Sequence, residues 1–112
     1  MHSVVETVPY LADAERLFSI DEQMAIVDMI AADPQCGVVV PGTGGVRKVR
    51  VAASGRGKSG GARIIYLFGG DDVPTFLLAV FAKNEKSNLS LAECNDLKKS
   101  TAALLKNYRG HQ

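Results

Sequence analysis

The sequence predicts an α+β fold, with helices packed on one face of an antiparallel sheet, and three features predict it. Two helix-forming stretches precede residue 34, short apolar strands separated by glycine-rich turns fill 46 to 82, and a capped amphipathic run closes the chain. With 112 residues, 46% of them apolar and 22% charged, the chain can bury a core and suits one domain spanning 1–112.

Val4 to Val8 reads as a first strand. Pro9 then suits the first turn of a helix through Ala12 to Phe18, and Ser19-Ile20-Asp21-Glu22 supplies the next cap. From Asp21, the residues Met24, Ile26, Val27, Met29 and Ile30 keep mostly to helical spacing until Asp33-Pro34 stops the run. Its methionines are read as core filler, not as a ligand-binding stripe. Pro41-Gly42-Thr43-Gly44-Gly45 marks a turn, after which Val46, Val49 and Val51 open a strand with basic neighbours. A loop from Ser54 to Gly61 leads to a strand over Ala62 to Phe68, and Gly69-Gly70-Asp71-Asp72 turns the chain into a largely apolar strand, Thr75 to Ala82. Leu89 to Tyr108 reads as a terminal helix, capped by Asn88 or Ser90, with Glu93 at the capping-box position of Ser90.

Charge is distributed unevenly. Residues 1 to 35 carry seven acids (Glu6, Asp13, Glu15, Asp21, Glu22, Asp28, Asp33) against Arg16 alone, whereas 42 to 70 carries Arg47, Lys48, Arg50, Arg56, Lys58 and Arg63 with no acid. A basic block of this kind either docks a polyanion or is a solvated face, although the whole chain has a net charge of only +1. No basic-then-apolar leader and no membrane-length apolar run is present, so a soluble cytoplasmic protein is expected. Cys36 and Cys94 have neither disulfide-framework nor zinc spacing and are expected to be free thiols. No metal and no cofactor is predicted.

Gly57-Lys58-Ser59 imitates the end of a phosphate-binding loop. The full pattern needs glycine where Ala52 stands, and a helix where Ala62 onward reads as a strand, so nucleotide triphosphate binding is set aside. The glycines suit a loop that lets Arg56 and Lys58 reach a phosphate backbone.

Metal-free RNA cleavage needs a base for the 2′-hydroxyl, cations for the phosphorane and an acid for the leaving 5′-oxygen. His2 and His111 sit at opposite ends of the chain and make a poor pair. Lysine and arginine remain. Lys48 and Arg50 share a face by strand alternation, and Arg63 and Lys83 lie on the next strands, so four cations are expected to converge. Crowded positive charge and partial desolvation favour a neutral lysine able to act as a base, while arginine stays charged. A basic face that binds RNA or DNA without cutting it fits the same spacing.

Three segments, GTGGVRKVR at 42–50, GKSGGARIIY at 57–66 and FAKNEKSNL at 81–89, resemble in order the signature blocks of HigB-like toxins in the RelE/ParE superfamily. The resemblance implies a RelE-like fold: two N-terminal helices, a curved antiparallel sheet of about four strands and a C-terminal helix. It also implies the toxin of a type II toxin–antitoxin pair, an mRNA interferase that enters the ribosomal A site and cleaves mRNA there. By matching blocks, Lys48 is expected as general base, Arg63 as phosphate stabiliser, and Arg50 and Lys83 as supporting cations. The other cations of the basic block, Arg47, Arg56 and Lys58, are expected to be RNA contacts only. The implied partners are the ribosome, mRNA and a cognate antitoxin, often of helix-turn-helix type. Well-known members carry a tyrosine shortly after the position of Lys83, where this chain has Glu85, Ser87 and Leu89, which leaves the acid and stacking roles open. Glu85 fits orienting Lys83 or proton transfer, and fits better a structural ion pair or a helix-entry role. Tyr66 faces away from Arg63 and is expected in the core. The alternatives are a ParE-like inhibitor of gyrase that does not cut RNA, and an RNA-binding module.

Overall fold

A computed structural model describes residues 2–52, 61–82 and 88–110. The element order is β1 (Val4–Glu6), α1 (Val8–Leu17), α2 (Ile20–Ala32), β2 (Val38–Val39), β3 (Val46–Val51), β4 (Ala62–Leu67), β5 (Thr75–Ala82) and α3 (Leu91–Gly110). The strands form one curved, open sheet in the order β1-β5-β4-β3-β2.

Local chemistry sets the helix starts. Ser19 caps α2 reciprocally: its Oγ accepts from the Glu22 amide at 3.1 Å, and Glu22 Oε1 accepts from the Ser19 amide at 2.9 Å. Ser90 and Glu93 repeat the device at α3, with distances of 3.1 and 2.8 Å. Of the two caps the sequence offers there, Ser90 is the one used. At α1, Thr7 makes no such bond to the helix. Its hydroxyl donates to the Leu77 carbonyl at 2.7 Å and so ties the helix start to β5.

Sheet register sorts the side chains onto two faces. Val49 pairs with Ile64 and Val51 with Ala62 across β3 and β4, and Ile64 pairs onward with Val80. These residues join Tyr10, Ala14, Leu17, Phe18, Ile26 and Ile30 in the core under α1 and α2. A bulge between Ile65 and Tyr66 shifts the β4 and β5 register; bulges bend the strands that carry them.

The structure corrects the sequence reading in four places. Five strands replace the expected four or so, because Val38–Val39 pairs with Arg47 and Lys48 as an added edge. The sheet is not wholly antiparallel, since β1 lies parallel to β5. The helices do not share one face: α3 crosses the face opposite α1 and α2, where Leu105 packs on Gly69 and Tyr108 meets Phe76 edge-on at 5.9 Å. That face offers Ile65, Leu67 and Phe76, all buried, and such apolar surface needs a cover. Finally, Met24 and Met29 are exposed, because the buried stripe of α2 is Ile26, Ile30 and Ala31.

The tail of α3 is pinned. Arg109 donates to both Asp72 carboxylate oxygens, Nε at 2.7 Å and Nη2 at 3.1 Å, and Nη2 also donates to the Gly69 carbonyl at 2.8 Å. The guanidinium holds the Asp72 carboxyl below its usual range. Both thiols are free, as expected.

Candidate functional site

The centre of the site is set by the β3 and β4 pairing, in which Arg50 stands directly opposite Arg63 and Lys48 directly opposite Ile65. Directly opposed residues project to the same face with Cβ atoms roughly 4.5–5.5 Å apart, and Lys48 joins that face two residues along β3. Arg50 is exposed, while Lys48 and Arg63 are half-buried. Like charges directly opposed in a sheet oppose folding, so burial and pairing alone do not account for this arrangement. Gly61 admits the chain to β4: its φ is +72°, and a Cβ there would collide with the Val51 carbonyl.

The structure brings together Lys48, Arg50 and Arg63, and separates Arg47 from them. Arg47 pairs with Tyr66 on the opposite face, and its Nη1 donates to the carbonyls of Gly37 at 2.8 Å and Gln35 at 3.4 Å. Tyr66 is fully buried, as expected, and its hydroxyl serves the same turn. It accepts from the Gly37 amide at 2.8 Å and donates to the Pro34 carbonyl at 2.8 Å. Burial pushes this phenol above its ordinary pKa, and the Gly37 hydrogen bond pulls the other way. A side chain at Gly37 would overlap the Tyr66 hydroxyl, which explains glycine there. Arg47 and Tyr66 together fix the 34–37 turn, a role the sequence reading missed. Alternation already held the signal, since neighbours in a strand point to opposite faces.

Arg56, Lys58, Lys83, Glu85 and His111 lie outside the described residues. His2 is far from the cations: Nε2 lies 3.1 Å from the Val73 carbonyl, and the ring meets Phe68 edge-on. Among the described residues no group of His, Cys, Asp and Glu is arranged to hold a metal ion, and no helix is long and apolar enough to cross a membrane.

Beside the cations, on the side of β5, lies a cleft of about 270 Å³ that the sequence reading did not foresee. Ile65, Ala79 and Phe81 floor it, Leu89 and Leu97 wall it, and Glu93, Asp96 and Ser100 supply its polar atoms. Register places Phe81 directly opposite Arg63, and Ile65 directly opposite Lys48. The cleft and the cations are therefore neighbours on one face. Chemically, the surface offers fixed positive charge for a phosphate next to an apolar slot.

Comparison with known proteins gives two findings. The family model described as the RelE toxin of the RelE/RelB toxin-antitoxin system matches residues 35–111, which include β2 to β5 and α3. A solved structure of the E. coli toxin RelE, a double arginine mutant in the free state, aligns with a TM-score of 0.56 and 15% identity. The alignment covers 76% of this chain and 86% of that one. At this identity the structural likeness speaks for the fold.

Proposed function

The chain belongs to the RelE toxin family, and from that premise we propose that it is the toxin of a type II toxin–antitoxin pair. In this reading it is a cytoplasmic, HigB-like endoribonuclease that needs no metal and cleaves mRNA in the ribosomal A site, halting translation. One observation carries the reading: Arg50 and Arg63 oppose each other across the sheet, with Lys48 beside them on the same face. A scissile phosphate bound there would meet three cations at once.

The mechanism assigns roles by position. Lys48 takes the proton from the 2′-hydroxyl, the freed oxygen attacks the adjacent phosphorus, and the bond from phosphorus to the 5′-oxygen breaks, leaving a 2′,3′-cyclic phosphate and a 5′-hydroxyl that takes its proton from water. Arg63, with Arg50 beside it, stabilises the charge that builds on the phosphorane oxygens. Lys83, which follows the last residue of β5 in sequence, adds a further cation, and Arg56 and Lys58 contact flanking phosphates. Arg47 is left out of the RNA contacts because its guanidinium is engaged on the other face. A cognate antitoxin, of helix-turn-helix type, neutralises the protein.

The test is incubation of the purified protein with ribosomes programmed with mRNA, followed by mapping of new 5′ ends. New ends within the A-site codon are expected, with free mRNA cut far more slowly. An intact message would contradict cleavage: protein retained on the RNA would then identify a binding module, and inhibition of gyrase supercoiling a ParE-like activity. Co-expression with the adjacent open reading frame should abolish toxicity, and unchanged toxicity would contradict the antitoxin pairing.

A further inference from the structure

Helix α2 has two apolar stripes, and the fold buries one of them. Ile26 and Ile30 enter the core, whereas Ile20, Met24 and Val27 follow one another along a different side at i, i+4 and i+7, with Ile20 75% and Met24 61% exposed. Together with Leu11 of α1 they line an open groove of about 280 Å³ beside β1. Glu6 and Asp28 add two carboxylates to that lining, and neither has a hydrogen bond or ion pair among the described residues. No lysine or arginine lines the groove. The surrounding chain is acidic as well: Arg16, the one cation of residues 1 to 35, is held by Asp13 at 3.4 Å.

We propose that this groove docks an amphipathic helix of a partner protein, apolar along one side and basic at its flanks. The proposal is independent of the RNA-cleaving reading. A helix laid in an apolar groove is held by anchors at i, i+3 or i+4, and i+7. The stripe from Ile20 to Val27 covers two helical turns, about 10 Å, which matches that spacing. Met24 suits the contact, because an unbranched thioether side chain adapts to the contour it meets. Charge then decides the class of partner. Glu6 and Asp28 repel RNA, DNA and an anionic lipid surface, and they attract lysine or arginine placed beside the apolar anchors. The groove lies on the α1 and α2 side of the sheet and the cations lie on the other. A docked helix and an anion at Arg63 therefore occupy separate faces.

The test titrates the ¹⁵N-labelled full chain with a synthetic peptide of leucine and lysine, about 18 residues long and patterned as an amphipathic helix, and with a control carrying glutamate for lysine. The lysine peptide should shift the amides of Leu11, Ile20, Met24 and Val27 saturably and bind at least about tenfold more tightly than the control. Met24→Lys should weaken binding about tenfold, while Met29→Lys, the same change on another side of the same helix, should leave it unaltered. Each variant's spectrum reports directly whether the fold is intact. Glu6→Gln with Asp28→Asn should weaken binding and flatten its dependence on salt. Equal affinity for the two peptides would overturn the basic partner. Saturable shifts centred elsewhere, or equal losses in Met24→Lys and Met29→Lys, would overturn the groove. Shifts of the groove amides that grow with protein concentration alone and vanish in Met24→Lys would give the site to a second copy of the chain and overturn the proposal.

Discussion

On one face of β3 and β4, Val49 meets Ile64 and Val51 meets Ala62 beneath α1 and α2. On the other, Arg50 meets Arg63 and Lys48 meets Ile65 beside a cleft. The same backbone serves both, because alternation sends successive side chains to opposite sides. The first face removes apolar surface from water and holds the sheet together. The second sets positive charges opposite each other, at some cost to folding. Substitutions at these paired positions should therefore sort: loss of stability at the apolar pairs under α1 and α2, loss of activity with the fold retained at the basic residues.

The largest stability effect is expected at Ile64, fully buried at the centre of the first face. Ile64→Ala should cost about 2–5 kcal/mol in urea unfolding, by lost burial and the cavity left behind. A cost as small as that of a surface change would contradict the division. Tyr66 and Tyr10 form a sharper pair, since both are fully buried on this face but only Tyr66 has partners for its hydroxyl. Tyr66→Phe should cost about 1–3 kcal/mol by stranding the Gly37 amide, whereas Tyr10→Phe should be close to neutral. Equal costs would remove the turn-fixing role.

The same two phenols predict an alkaline limit. Burial raises the pKa of both above the ordinary value, with Glu6 adding to the effect at Tyr10. A group whose folded pKa is raised contributes stability that is intact below its unfolded pKa, near 10, and is lost as pH rises beyond it. Unfolding midpoints should thus be flat from neutrality to about pH 9 and fall above about 10, less steeply in Tyr10→Phe.

Smaller effects are expected at the caps and on the open face. Ser19→Ala removes the side-chain half of a capping box and should cost about 1 kcal/mol. Arg50→Gln should leave the protein equally stable or raise stability by about 0.2–1 kcal/mol, because it relieves the charge facing Arg63. Destabilisation by this change would contradict the view that the charge pair opposes folding.

Much of this contrast was legible in the sequence, and particular residues explain where it stopped. Ser19-Glu22 and Ser90-Glu93 announced two helices through local chemistry, and alternation put Lys48 and Arg50 on one side and Tyr66 in the core. The Arg50 and Arg63 register was not readable, since sequence does not fix how far the loop after Ala52 slips one strand along the other. Nor was the position of α3. Its leucines show that it covers something, and only the assembled sheet decides which face. Val38–Val39 is too short for any periodic signal, and β1 finds its partner some 70 residues along the chain. In α2 the apolar positions outnumber those one face can bury, which is why Met24 and Met29 were misplaced. The cleft needed β5 and α3 together, so Asp96 carried no signal in the sequence.

The most direct test of the cationic face is the rate of mRNA cleavage on programmed ribosomes by the wild type and by Arg63→Ala, with urea unfolding measured on both. Removing a preorganised transition-state cation should slow cleavage by about 10²–10³-fold while the variant still unfolds in a cooperative transition and is folded under the assay conditions. Undiminished cleavage, or a loss that tracks unfolding, would contradict it.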